Sequence, residues 1–301
     1  MRRVLFLLLI LSQVMAFAGV ARAEERQWVF SPNDPLRGGE LSVNSFYSYS
    51  KNRFPSSVIE AHSFGLLVAG APHDRVSVWA ELPFRQKSLE SKFAALKFSE
   101  FGVGDLSLGL ELYALREISA SSSLDVSIYA TGTFPTGEYN TKGDVFFTPT
   151  TDPEVVQPGR DAYAYRIGIS GGYRTEAWRA ASSVSYKDWG KSRITDFGED
   201  LVISIAGAFQ PLRIESGALP EQGGAVTFGM SVIASSDDRS NWLGYFPLGG
   251  GGWSVYASPG IEYFIGDWVL DLNARVPLQY NLTGGYEPAD FSLAFDLGCR
   301  I

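Results

Sequence analysis

"GVGDLSLGLELYAL", residues 102–115, sets Leu106, Leu108, Leu110 and Leu112 at every second position, with Ser107, Gly109 and Glu111 between them. A period of two is the signature of a β-strand, whose successive side chains point to opposite faces. One face of this strand is oily and the other polar. Such a strand fits the wall of a soluble sandwich, with its leucines in a dry core. It also fits a membrane barrel, with its leucines on lipid. The fold turns on which face is wet.

The alternation recurs along the chain. Val76, Val78, Ala80, Leu82 and Phe84 alternate with Ser77, Trp79, Glu81 and Pro83. Leu124, Val126, Ile128, Ala130, Gly132 and Phe134 alternate with Asp125, Ser127, Tyr129, Thr131 and Thr133. Further clean runs cover 201–209, 226–234, 268–278 and 291–301, and compatible ones lie near 39–50, 57–70, 162–174, 177–187 and 253–265. The spacing predicts about 12 strands and no helical domain.

The connections between these runs alternate in length. Short turns fall near 71–74, 116–122, 174–176 and 265–267, whereas long polar stretches fall at 85–100, 136–161, 188–199, 236–252 and 280–289. Placing both chain ends in the periplasm puts every long stretch on the outer side, as in outer-membrane barrels. Residues 210–224 break this rule, because a tight turn is expected there and fifteen residues stand in its place.

Charge decides between the two environments. The seven cleanest runs offer 38 positions on their apolar face, and none carries a charge, where a 19% charged composition would place about seven. A charge at the bilayer midplane costs roughly 2–4 kcal/mol, so lipid excludes what water would accept. The opposite face holds Glu81, Glu111, Asp125, Arg166, Arg179, Glu262, Asp271, Arg275 and Asp296. A dry core would bury these charges at high cost, so they require water or one another. The reading is an all-β, antiparallel, up-and-down transmembrane barrel. Tyr47, Tyr49, Phe84, Phe134, Trp178, Tyr186, Trp253, Tyr263 and Trp268 lie towards strand ends, where interfacial girdles form.

The ends and the composition agree. Arg2 and Arg3 precede an apolar run that closes on Ala21-Arg22-Ala23, the pattern of a cleaved secretory signal peptide over 1–23. Removing it leaves 22 basic against 33 acidic residues, a balance of −11 that argues against a nucleic-acid partner. Residues 24–37 form a segment for the periplasm or the lumen, and 38–301 the barrel. Cys299 is the single cysteine, so no internal disulfide is available.

Three motifs also carry a resemblance. "VSVWAELPF" (76–84), "GVGDLSLGLELYAL" (102–115) and "ATGTFPTGEY" (130–139) resemble the MetA-pathway of phenol degradation family of outer-membrane transporter-like proteins. "SPGIEYFIGDWVLDLNARVPLQ" (258–279) is similar to that family's late hairpin. The resemblance implies a barrel that passes small hydrophobic or aromatic compounds.

Sites for other chemistry are sparse. Of two histidines, His73 falls in an expected periplasmic turn, and His62 has Glu60 on the same face but no serine motif beside it. "GVGD" is followed by a strand and not by the helix a phosphate loop requires. It reads instead as glycines where the strand comes in from the outer loop. Asp144, Asp152 and Glu154 lack the dense oxygen spacing of a calcium loop.

The expected function is therefore an outer-membrane channel for passive uptake of small compounds, with no cofactor and no catalytic or metal site. The rival is a non-transporting barrel, structural or acting on lipid as an enzyme. Candidate pore-lining residues are Glu81, Glu111, Tyr113, Asp125, Tyr129, Arg166, Arg174, Arg179, Lys187, Glu262, Asp271, Arg275 and Asp296. The basic members on 166–187 would face acidic ones across the lumen, either as a transverse field or as pairs that plug it. Expected partners are outer-membrane lipid, a small solute and, through the C-terminal strand, the barrel-assembly machinery.

Overall fold

Long alternating runs favour extended backbone, and each strand's backbone donors and acceptors then need a neighbour on both sides. A closed ring satisfies all of them. The computed structural model describes residues 36, 38–53, 57–91, 97–119, 122–138, 158–159, 162–175, 177–188, 190, 198–214, 222–236, 252–282 and 291–301. The signal-peptide reading of 1–23, nearly all of 24–37, and Asp144, Asp152 and Glu154 lie outside these residues.

Among these residues thirteen strand segments follow in order: β1 (Leu41–Arg53), β2 (Ser57–His73), β3 (Val76–Ser91), β4 (Lys97–Val103), β5 (Leu106–Ile118), β6 (Ser122–Phe134), β7 (Ala164–Thr175), β8 (Trp178–Asp188), β9 (Glu199–Ile214), β10 (Gln222–Ser236), β11 (Gly252–Ile265), β12 (Trp268–Leu282) and β13 (Phe291–Arg300). Apart from β4 and β5, sequence neighbours pair antiparallel, and β13 pairs with β1 to close the ring. Leu41 and Ile301 exchange backbone hydrogen bonds at the foot of that closure (2.8 and 3.2 Å). β4 and β5 both pair with β3 and form one interrupted stave, so the barrel has twelve staves.

The burial pattern is inverted relative to a soluble protein. Ile128 and Ile205 are 55% and 56% exposed, whereas Lys187 and Asp271 are 2% and 5% exposed. On the outer face Leu112, Ile128, Ile169, Val184, Ile203, Val232 and Val255 stand in direct cross-strand register over seven staves. A continuous aliphatic belt of this kind has a large hydration cost in water and none against lipid tails. Aromatic pairs flank it: Trp178 and Phe209 (4.4 Å between ring centroids) towards the periplasmic turns, Tyr165 and Tyr186 (6.4 Å) towards the outer loops.

Three expectations change. Residues 85–100 are not a long loop: β3 continues to Ser91 and β4 begins at Lys97. Beyond the membrane both faces are wet, so pairing continues after the apolar alternation has stopped. The long turn at 210–224 is likewise mostly hairpin, since β9 reaches Ile214 and β10 begins at Gln222.

The third change concerns "GVGD". It does not open a strand but interrupts a stave in mid-course, as a bulge. Glu81 pairs with Ser107 while Phe84 pairs with Val103, so Gly104 and Asp105 together oppose Pro83. Proline offers no N–H to a neighbour, and a bulge is where a sheet tolerates it. The Pro83 carbonyl still accepts Gly104 N–H at 2.8 Å. Elsewhere the periplasmic turn 266–267 requires glycine at Gly266, whose φ is +55°.

Candidate functional site

Alternation within each stave places all thirteen candidate residues on the face opposite the aliphatic belt, pointing into the ring. The hydrogen-bonding register then decides which of them meet. Arg166 lies directly opposite Lys187, and Arg174 opposite Arg179, so β7 and β8 carry two cationic pairs. β7 runs from the outer loop to a periplasmic turn, which puts the first pair high and the second low in the barrel. On the other side Glu262, Asp271 and Asp296 form one cross-strand row over β11, β12 and β13. β7 and β13 stand six staves apart in a ring of twelve, so Arg174 and Asp296 lie on opposite walls, while β8 and β11 are only three apart.

Like charges directly opposite destabilise a sheet, so both rows need compensation. Arg179 Nη2 donates to Glu262 Oε1 at 2.6 Å, although β8 and β11 are separated by β9 and β10. This pair crosses part of the lumen as a strut. Asn273 Nδ2 donates to Asp271 Oδ2 at 2.6 Å and holds that carboxylate within the acidic row. Arg275 stacks its guanidinium 3.7 Å from the centre of the Tyr256 ring, a cation–π contact.

A second cluster gathers on β5 and β6. Glu111 accepts from Tyr113 OH at 3.0 Å and from Ser127 Oγ at 2.5 Å, and Ser170 Oγ lies 3.4 Å away. Tyr129 is the cross-strand neighbour of Glu111, and its ring covers Gly168, where an added methyl would come within 2.5 Å. Arg116, opposite Asp125, lies 5.0 Å from the Tyr113 ring and donates to the backbone oxygens of Leu36 and Asp74. Glu81 is not part of this group; its cross-strand neighbours are Ser107 and Leu67.

The bulge is also a docking point. Gly137 N–H donates to Asp105 Oδ1 at 3.0 Å, and Gly159 N–H donates to the Glu138 carbonyl at 2.9 Å. A methyl on Gly137 would stand 2.7 Å from the Gly104 carbonyl carbon and 2.9 Å from Gly159 Cα. Arg85 Nη1 donates to the Pro158 carbonyl at 3.4 Å. The two ends of the β6–β7 connection are thus packed on the inner wall through backbone contacts that only glycine permits.

The histidines stand away from the lumen charges. His62 points outward, its Nδ1 3.0 Å from Tyr47 OH and its ring 4.8 Å from that of Tyr49. His73 Nδ1 accepts Arg75 N–H at 3.1 Å in the periplasmic turn. Among the described residues no group of three His, Cys, Asp or Glu is placed to hold a metal ion.

Sequence reasoning did not find the most regular feature of the inner wall. Ser127, Ser170, Ser183, Ser204 and Ser231 sit on five successive staves in direct register, bounded by Tyr113 and Tyr256. Single runs show each serine only as an inward polar position; the row exists through register alone.

No family model matches the chain, and no curated protein matches it. Solved structures do. The COG4313 outer membrane channel from Pseudomonas putida superposes with a TM-score of 0.63 over 90% of this chain and 100% of that one, at 15% identity. The chain has the fold of a bacterial outer-membrane barrel. Weaker likenesses run to the translocator domain of autotransporter NalP from Neisseria meningitidis (TM-score 0.48, 10% identity, 88% of this chain and 90% of that one). The NanC porin follows, with a TM-score of 0.41, 8% identity, and 86% and 98% of the two chains covered.

Proposed function

We propose that the chain is an outer-membrane channel through which small molecules pass passively, delivered to the membrane after signal-peptide cleavage. The observation that carries the proposal is the closed ring whose uncharged aliphatic belt encloses a wall of serines, arginines and carboxylates. Polar side chains aimed inward are stable only with water or partners, and a water-containing lumen offers both. The resemblance in 76–84, 102–115 and 130–139 supports hydrophobic or aromatic compounds as the solute class. The C-terminal strand is the segment proposed for recognition by the assembly machinery, and the thirteen inward residues are the proposed pore lining.

The rival, a barrel that transports nothing, draws on one observation: the Arg179–Glu262 strut crosses part of the lumen and narrows the path there. Ion selectivity in planar bilayers separates them. Replacing Arg166 and Arg179 together by Glu changes the wall by four charges and shifts the reversal potential towards cations. An unchanged reversal potential removes both residues from the pore wall.

A further inference from the structure

We propose that the wall formed by β7–β10 is a binding recess for small organic carboxylates, with Arg179 its receptor charge. The proposal rests on the lumen being the solute's path and names what that path selects.

The recess is made by side-chain size. Gly172, Ala181, Ala206 and Gly229 form one inward cross-strand row, immediately beside Ser170, Ser183, Ser204 and Ser231, with the Asp125 carboxylate lying over Gly172 at its β7 end. Two adjacent rows of the smallest side chains set this wall back from the axis. Neighbouring strands lie about 4.8 Å apart, so the five serines from β6 to β10 span about 19 Å. Above the recess stand Arg166 and Lys187, below it Arg174 and Arg179, and at its two sides Tyr113 and Tyr256.

The donors of this wall already bind carboxylates. At one end Ser127 gives its hydroxyl proton to Glu111. On the central stave, β8, Arg179 holds Glu262. On the same wall Ser183 and Ser204 bond each other at 2.6 Å, and Ser231 Oγ, on a residue 1% exposed, has no hydrogen-bond partner among the described residues. A buried hydroxyl without a partner costs free energy that an incoming acceptor recovers. A carboxylate is such an acceptor, and arginine recognises it through paired N–H donors.

Glu262 is then an internal stand-in for the solute. An anion reaching Arg179 replaces one carboxylate by another, so the strut is exchanged and not merely broken. A neutral molecule of the same shape offers no replacement charge and leaves the strut closed.

Calorimetric titration of the full chain in detergent with sodium benzoate and with benzamide tests this without requiring conduction. Benzoate should bind at least tenfold more tightly than benzamide. Glu262→Gln should tighten benzoate severalfold, Arg179→Gln should abolish binding, and Ala206→Trp should abolish it with every charge in place. Equal affinity for the two probes, no binding to wild type and Glu262→Gln alike, or binding that survives Arg179→Gln overturns the site. The gain in Glu262→Gln cannot come from misfolding, so it decides the matter even where another variant fails to fold. A barrel that conducts ions yet ignores benzoate refutes the recess alone; one that binds benzoate but never opens refutes the channel alone.

Discussion

Replacing Ile205 by arginine places a charge on the outer face where the account puts the centre of the bilayer. On β9, Ile205 lies four residues from Leu201, the neighbour of Tyr186, and four from Phe209, the neighbour of Trp178. Four residues span about 13 Å of strand, and a tilt of about 40° reduces this to roughly 10 Å of depth towards each aromatic girdle. The substituted side chain therefore sits near the middle of an apolar band about 25 Å tall, where arginine costs roughly 2–4 kcal/mol. Ile205 is 56% exposed and packs against little protein, so lost packing adds little. Equilibrium folding into phospholipid vesicles against urea, followed by intrinsic fluorescence, reads the difference directly. In a water-soluble barrel the same exposed substitution stays within about 0.5 kcal/mol. A change that small for Ile205→Arg refutes the assignment of this face to lipid.

Other perturbations test particular contacts. Gly137→Val forces a side chain against the backbone of Gly104 and Gly159, so the contact between the two ends of the β6–β7 connection and the bulge should break. Trypsin should then cut between β6 and β7 faster on whole cells, and an unchanged rate dismisses the docking of these ends. Gly109→Ala puts a methyl 2.0 Å from the Trp79 ring, which must leave its seat at a cost of about 1–3 kcal/mol. Near-ultraviolet circular dichroism should lose the Trp79 contribution, and an identical spectrum counts against the stacking. Asp105→Ala removes the acceptor for Gly137 N–H and should destabilise the barrel by about 1–2 kcal/mol in the same vesicle assay. No measurable loss means that the bulge is held by glycine packing alone.

Fold and face were legible because both are local. Period-two alternation names a strand from one run, and the absence of charge on one side of many runs names the solvent of that side. Strand ends were less legible. β3 and β9 run past the membrane, where residues on both faces are hydrated and the alternation that marks a strand disappears. The bulge was hidden for a different reason: Gly104 and Asp105 are explained by Pro83 on the adjacent stave, some twenty residues earlier. The inward positions of Arg166, Arg174, Arg179 and Lys187 follow from parity, but their pairing does not. Whether Arg179 meets Glu262 or Asp296 depends on stagger between staves, and no run of sequence records it. The serine row is invisible for the same reason.

Single-channel recording of the intact chain in planar bilayers tests the central claim most directly. An aliphatic belt around a charged, hydroxyl-lined wall predicts discrete openings whose ion selectivity changes sign or magnitude when Arg166 and Arg179 become glutamate. A silent membrane, with correctly folded barrel inserted, contradicts the account.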